Sequence, residues 1–393
     1  MDTSLALLIS ILLILLLIRA RVNISLSIFA GALTLGLLSV GFEAFNVVME
    51  SSTSLSTLRL LALVTAAFTL GYSMEYLGLL KDLQCIAERM FGKFSIAVLP
   101  LLVGLLPMPG GALISAVMIR DLVEKYKMGW EEATFINYWF RHVWVTMWPL
   151  YPSIIIAAWV VEVDIMKLIL ATYPIGLAAL FFALLSSRHV KFRLKIGFRD
   201  VIAFFTSAYP IFLVAVLAIV FRLDLLLTIL LSLATLYIHR RAKPRDIAAI
   251  LKRTIDVRII VLIFAVMAYK ELILYTNAAE VFFNHLREMN FPPAIAAFVL
   301  SFLVGFATGI ELGYSSIALP LLVAFTGIGS GLIGKNLMLA IAGGFLGVMV
   351  SPMHLCFALT CEYFKADVGD VYRLLLPPVV GLAIVVAALF IFL

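Results

Sequence analysis

The feature that most constrains this fold is a series of twelve apolar runs that occupy nearly the whole chain. They lie near 4–18, 22–40, 57–80, 94–119, 133–160, 165–187, 200–221, 223–239, 257–277, 292–325, 331–361 and 371–393. Hydrophobic residues make up 64% of the sequence and charged residues 13%, which excludes an ordinary soluble globular protein. Because a membrane-crossing helix needs about 20 apolar residues, the runs predict an all-α polytopic membrane protein with about 10 transmembrane helices.

The basic surplus of the chain, 29 Lys and Arg against 23 acidic residues, is explained by cytoplasmic loops, so no nucleic-acid partner is expected. The three cysteines, Cys85, Cys356 and Cys361, have no paired metal-ligand spacing and are interpreted as apolar core residues.

Loop charge predicts the orientation of the spans. Connection 188–199 holds five Lys and Arg and connection 239–258 holds seven, so both are predicted to face the cytoplasm. Each span moves the chain to the other side of the membrane. Counting spans from these two cytoplasmic connections places both flanks of run 94–119 inside. The same alternation places the N-terminus and the C-terminus outside, in a multi-pass protein of the cytoplasmic membrane.

Two runs cannot be simple spans. Run 94–119 begins and ends on the cytoplasmic side and is too short to cross twice, so it is predicted to form a re-entrant hairpin whose tip is broken at Pro107–Gly111. Run 292–325 has both flanks outside, which predicts a second hairpin with its tip near Thr308–Gly313.

The two halves of the chain have the same predicted order in opposite orientations. Repeat 1 (1–187) and repeat 2 (200–393), joined by the cytoplasmic linker 188–199, each contain three spans, a hairpin, a broken span and a final span. The broken spans are 133–160 and 331–361, and the final spans are 165–187 and 371–393. Inverted repeats with discontinuous helices are typical of secondary transporters, which bind ligands at the helix breaks.

Several motifs carry a family resemblance: Leu-Pro-Met-Pro-Gly-Gly at 106–111, Asn-Tyr-Trp-Phe-Arg-His at 137–142 and Tyr-Lys-Glu-Leu-Ile at 269–273. With the two-hairpin layout, they resemble the ion-transporter (IT) superfamily. Within it, the chain is most similar to an uncharacterised prokaryotic integral-membrane family, and more distantly to gluconate and lactate permeases, citrate transporters and divalent-anion/sodium symporters. The chain differs from the last group in lacking Ser-Asn-Thr at either tip.

The resemblance implies a homodimer in which a transport domain moves against a scaffold, an elevator-type mechanism. It also implies small-anion substrates coupled to Na⁺ or H⁺.

The binding site is predicted where the breaks meet. The predicted substrate-binding residues are Pro109, Gly110, Gly111, Asn137, Arg141, Thr308, Gly309, Ser351 and His354. Arg141 could hold a carboxylate through a bidentate contact; alternatively, it reaches the membrane interface or pairs with a glutamate. His142 is interpreted as a hydrogen-bonded packing residue rather than a ligand.

The predicted coupling-ion residues are Glu311, Gly313 and Ser153. Glu311 at a buried tip could carry a proton or coordinate Na⁺; alternatively, the tip is shallow and Glu311 is hydrated. The spacing of Gly305, Gly309 and Gly313 also favours close helix packing, most of all at Gly305.

These features predict a secondary active transporter that moves a small organic anion, a carboxylate or sugar acid, by alternating access coupled to H⁺ or Na⁺. The alternative is a lipid-carrier flippase or a channel on the same scaffold. An enzyme is not predicted, because the chain lacks His-Glu-x-x-His and Gly-x-Ser-x-Gly motifs. No cofactor is expected beyond possible Na⁺, and no metal site is firmly assigned. The expected partners are the anion, membrane lipid and a second copy of the chain.

Overall fold

The computed structural model describes residues 2–108, 111–187, 190 and 197–392, which form helices and connections without any β-strand. Two predicted site residues, Pro109 and Gly110, lie outside this range, as does most of the linker 188–199. The helices are α1 Thr3–Arg19, α2 Ile24–Val40, α3 Glu43–Thr53, α4 Leu55–Tyr76, α5 Leu79–Phe91, α6 Ser95–Val103, α7 Gly111–Lys125, α8 Trp130–His142, α9 Pro152–Val160, α10 Ile165–Ser186, α11 Phe198–Ala215, α12 Leu225–His239, α13 Pro244–Thr254, α14 Val257–Tyr275, α15 Ala278–Glu288, α16 Pro293–Thr308, α17 Glu311–Gly313, α18 Leu319–Leu321, α19 Val323–Thr326, α20 Gly334–Met349, α21 Leu355–Phe364 and α22 Val368–Phe392. Val216–Val220 and Tyr314–Ala318 are π-helical, and Gly92–Phe94 and Gly329–Gly331 are 3₁₀ turns.

Four helical stretches in the described part of the chain are long and apolar enough to cross a membrane. They are Leu55–Tyr76, Ile165–Ser186, Phe198–Val220 and Val368–Phe392. Six further apolar helices are 10–17 residues long. The all-α polytopic membrane class is therefore confirmed, whereas the number of about ten spans stays a prediction.

Four amphipathic helices, α3, α5, α13 and α15, occupy connections between the apolar runs. In α5, Leu83 and Ile86 are buried while Lys81 and Arg89 are exposed. Charge made these segments resemble loops, but their apolar residues recur with the helical period and pack against the neighbouring helices.

Helix contacts divide the chain into two groups. In the first, α1 packs on α2 and α15, α14 packs on α2 and α3, α4 packs on α12 and α13, and α5 packs on α11. In the second, α6 packs on α7 and α8, α21 packs on α7 and α8, and α20 packs on α10, α16 and α22. The second group contains both predicted hairpins and both predicted broken spans.

Each of these four segments is interrupted. Residues 104–110 separate α6 from α7, and residues 143–151 separate α8 from α9. Gly309 and Ile310 separate α16 from α17, and residues 350–354 separate α20 from α21. Gly309 has a φ of +64°, in the left-handed region that favours glycine.

Glycine allows α16 and α20 to pack with their backbones in contact. A Cβ on Gly305 would overlap the Gly344 carbonyl oxygen, and a Cβ on Gly347 would overlap the Phe302 carbonyl oxygen. This contact agrees with the packing interpretation of Gly305, because small residues are what allow membrane helices to approach so closely.

We expect Gly305→Ala to lower the free energy of unfolding by about 1–3 kcal/mol, because the added methyl must push α20 away from α16. The measurement is the thermal unfolding midpoint of the purified protein in detergent. Gly331→Ala is the matched control, since a Cβ there would meet no atom within 4 Å. Equal midpoints for the two variants would contradict this close packing.

Candidate functional site

Two buried histidines meet where three of the breaks converge. His142 is the last residue of α8, and His354 immediately precedes α21. Their Nε2 atoms are 3.1 Å apart. The Nδ1 atom of His142 is 2.5 Å from the carbonyl oxygen of Tyr138, and that of His354 is 2.5 Å from the carbonyl oxygen of Gly309. The histidine pair therefore joins the break of each broken span to the tip of the second hairpin.

Glu311 extends this cluster from the second hairpin. Its Oε1 atom is 3.5 Å from Nε2 of His142, and its side chain is 19% exposed. Glu311 is thus partly buried and in contact with the histidine pair, at the position expected for a tip residue. Gly313 packs directly on Thr308, where a Cβ would overlap the Thr308 hydroxyl.

Arg141 lies on the other side of the cluster and is only 5% exposed. Its Nη2 donates to the carbonyl oxygen of Met108 at 3.3 Å, and its Nη1 is 3.7 Å from Sγ of Cys356. Its Nε has no hydrogen-bond partner within the described residues. No described carboxylate lies within salt-bridge distance of Arg141, and the Glu311 carboxylate interacts with the guanidinium charge only over a longer distance.

The first hairpin supplies the wall beside Arg141. A Cβ on Gly111 would overlap Nη2, so glycine is what lets the guanidinium lie directly against the first residue of α7. The first-turn amides of a helix lack intrahelical acceptors and carry partial positive charge. The guanidinium and the start of α7 together form a locally positive region.

Other predicted site residues support the backbone around the breaks. Asn137 Nδ2 donates to the Ala112 carbonyl oxygen at 3.0 Å and to Thr360 Oγ1 at 3.2 Å. Ser351 Oγ donates to the Phe306 carbonyl oxygen at 2.6 Å.

Thr308 and Ser153 have different environments. Thr308 Oγ1 donates to the Val304 carbonyl oxygen at 2.8 Å, within its own helix. Ser153, in the first turn of α9, is buried, and its hydroxyl faces the hydroxyl of Tyr314.

The structure therefore brings together Gly111, Arg141, Gly309, Glu311 and His354. Thr308, Asn137 and Ser351 hold the surrounding backbone.

The sequence analysis did not assign His142 or Cys356 to the site. The structure places Sγ of Cys356 and a ring nitrogen of each histidine within 4.8 Å of one another, so these three residues could hold a metal ion. The Tyr138 ring packs on both histidines, with centroid distances of 4.7 Å and 5.4 Å. The sequence signal available for His142 and Cys356 was proximity to predicted site residues, because His142 follows Arg141 directly and Cys356 lies two residues after His354.

A cavity of about 720 Å³ lies elsewhere, between α4, α9, α10 and the turn that joins α11 to α12. Its lining includes the basic residues Arg59, Lys167 and Arg222 and the acidic residues Asp164 and Asp224. None of the residues of the central cluster lines this cavity, so it is separate from the candidate site.

Comparison with protein families gives a match along nearly the whole chain. The model of the family described as "Protein of unknown function (DUF401)" matches residues 1–392. The chain belongs to this family. Membership in DUF401 confirms the coarse part of the resemblance, an uncharacterised family of membrane proteins. Comparison with curated proteins finds no significant match.

The DUF401 chain is similar in fold to a solved structure, described as the crystal structure of the Alcanivorax borkumensis YdaH transporter with an unusual topology. The TM-score is 0.58 and the sequence identity is 13%, and the match covers 90% of this chain and 89% of that chain. At this identity, the likeness shows a shared fold.

We expect Asn137→Ala to destabilise the DUF401 protein by about 1–3 kcal/mol, because it removes two buried hydrogen bonds, those from Nδ2 to the Ala112 carbonyl oxygen and to the Thr360 hydroxyl. Thermal unfolding in detergent measures the loss. Asn46→Ala is the control, since the amide of Asn46 reaches only the exposed carboxylate of Glu43. A loss of the same size in both variants would show that Asn137 does not tie α7 to α21.

Proposed function

We propose that this protein is a secondary active transporter that moves a small organic anion, a carboxylate or sugar acid, across the cytoplasmic membrane by alternating access coupled to H⁺ or Na⁺. The observation that carries the proposal is the buried Arg141 guanidinium, which lies against the start of α7 among converging helix breaks. The protein is then a carrier rather than an enzyme.

An inverted repeat is part of this proposal, and the order of helices supports it. Helices α1–α5 correspond to α11–α15, and α10 corresponds to α22. The two interrupted segments of the first half, α6–α7 and α8–α9, correspond to α16–α19 and α20–α21.

The contacts between the two halves also come in pairs. Where a helix of the first half packs on a helix of the second, their two counterparts pack on each other. The packing of α1 on α15 corresponds to that of α11 on α5, and the packing of α3 on α14 corresponds to that of α13 on α4. The packing of α7 on α21 corresponds to that of Tyr314–Ala318 on α9, and the packing of α8 on α22 to that of α20 on α10. Such pairing is expected from two halves related by a pseudo-twofold axis.

The proposal has three further parts. The protein is a member of the IT superfamily, it works by an elevator mechanism, and it forms a homodimer. The fold shared with a structure described as a transporter supports a carrier. The two groups of helices support a division into a scaffold and a transport domain. The moving part would consist of the second group together with α9 and α17–α19, which pack on its helices.

Arg141 is the proposed anion-binding residue. A guanidinium presents donors that match a carboxylate in a bidentate contact, and Nε is still without an acceptor in the described structure. An unpaired buried charge is expensive, so a bound anion would lower the energy of this site.

Glu311 is the proposed coupling residue. Its carboxylate lies at the tip of the second hairpin, where a bound cation would be held against the same cluster that includes His142. Gly313 and Ser153 complete the proposed ion site. Because the proposed anion and cation sites border the same histidine pair, a bound anion and a bound cation would attract each other, and each would favour binding of the other.

We expect Arg141→Lys to weaken anion binding roughly tenfold to a hundredfold, the equivalent of losing one charged hydrogen bond of about 1.5–3 kcal/mol. Thermal stabilisation of purified protein by carboxylates, sugar acids and inorganic oxyanions, with and without Na⁺ and at two pH values, measures binding. Arg120→Lys is the control, since Arg120 is exposed and pairs with Glu124. Stabilisation of the wild type by lipid phosphates alone would favour a flippase and contradict the proposal.

We expect Glu311→Gln to abolish the response of anion uptake to an imposed Na⁺ or proton gradient in proteoliposomes, because the amide carries no charge to hold the cation. Glu124→Gln, a surface substitution, should leave the response intact. Gradient-driven uptake that persists in Glu311→Gln would remove this carboxylate from coupling.

A further inference from the structure

The hydrogen bonds of the histidine pair determine where its protons lie. Nδ1 of His142 and Nδ1 of His354 each contact a backbone carbonyl oxygen, and a carbonyl oxygen can only accept. Each ring must therefore carry its proton on Nδ1. In the neutral rings, the two Nε2 lone pairs then lie 3.1 Å apart with no proton between them. Two acceptors at this distance repel unless a proton or a metal ion lies between them.

We propose that His142, His354 and Cys356 bind a transition-metal ion of the Zn²⁺ type. The three ligand atoms, one from each side chain, lie within 4.8 Å of one another. Zinc binds imidazole nitrogen at about 2.0–2.1 Å and thiolate sulfur at about 2.3 Å, so a nitrogen and a sulfur that share one ion lie at most about 4.4 Å apart. The two Nε2 atoms, 3.1 Å apart, already meet the corresponding limit for two nitrogens, and the Cys356 side chain needs to move by at most a few tenths of an ångström to join them. The site does not depend on whether the protein transports an anion.

The orientation of the rings favours a common ion over a direct contact. Two Nε2 lone pairs aimed straight at each other would place the ring centroids about 5.4 Å apart, whereas rings aimed at one ion would place them about 4.9 Å apart. The observed centroid distance is 4.9 Å, with the ring planes at 72°. The observed distance matches the value for a shared ion, and at least one ring is turned away from the line that joins the two nitrogens.

The surroundings of the cluster match those of known metal sites. Histidines that bind metal usually donate their second ring N–H to a carbonyl or carboxylate oxygen, which fixes the ring, and both histidines have such a carbonyl here. The Arg141 guanidinium, 3.7 Å from Sγ of Cys356, supplies positive charge beside a coordinated thiolate.

The donor set also predicts which ion binds. Two imidazoles and a thiolate favour Zn²⁺ or Co²⁺ over Na⁺ and Mg²⁺, which prefer oxygen ligands. Binding converts the Cys356 thiol to a metal-bound thiolate and releases its proton to solvent. The carboxylate of Glu311 lies 3.5 Å from Nε2 of His142, within reach to supply a fourth ligand.

Co²⁺ binding to the purified, chelator-treated protein tests this site, because a thiolate bound to Co²⁺ gives a charge-transfer absorption band. We expect one Co²⁺ per chain, a thiolate band, and displacement of Co²⁺ by Zn²⁺. Cys356→Ser should abolish the band and weaken Co²⁺ binding by more than the roughly 10–100-fold typical of outer-shell substitutions.

Cys361→Ser is the matched control, because Cys361 is a buried thiol on the same helix but is not part of the cluster. It should keep the band. Thermal unfolding of the metal-free variants establishes that both are folded. The proposal is overturned if the folded wild type binds no Co²⁺, as expected if the rings share only a proton, or if Cys356→Ser retains the band. Co²⁺ binding and the thiolate band are both measured without an anion, so their result is independent of the transport assays.

Discussion

The satisfaction of backbone polar groups at four helix breaks is the constraint on which this structure depends. Lipid offers no hydrogen-bond partner, so every freed N–H and C=O needs one from the protein. Side chains supply several: Trp144 Nε1 donates to the Leu101 carbonyl oxygen at 2.8 Å, and Tyr138 Oη donates to that of Met349 at 3.1 Å. The polar centre of an otherwise apolar protein is thus a direct consequence of interrupting its helices.

Charge is distributed asymmetrically in this polar centre. Arg141 and the start of α7 make one side positive, and Glu311 makes the other side negative, with the two histidines between them. Residues of both halves of the chain build this arrangement, since His142 and His354 are separated by 212 positions in sequence. An anion, a coupling cation and a bound metal ion would therefore all interact with one small set of side chains.

The breaks have local signals in the sequence, whereas the contacts between them do not. Proline, glycine and the sidedness of loop charge located the interruptions near Gly111 and Gly309, because these signals are local in the chain. The contact of Cys356 with Arg141 was not predictable, since it depends on how α8 and α21 pack. The segment that contains Lys81 and Arg89 resembles a loop by its charge, whereas the spacing of its apolar residues is that of the amphipathic helix α5.

The glycine contacts between α16 and α20 have a consequence for how ligands could enter. The first arm of the second hairpin lies with its backbone against α20, so it cannot swing outward by itself like a hinged lid without breaking that contact. Opening a path to the histidine pair from this side would require α16 and α20 to shift together as a rigid unit.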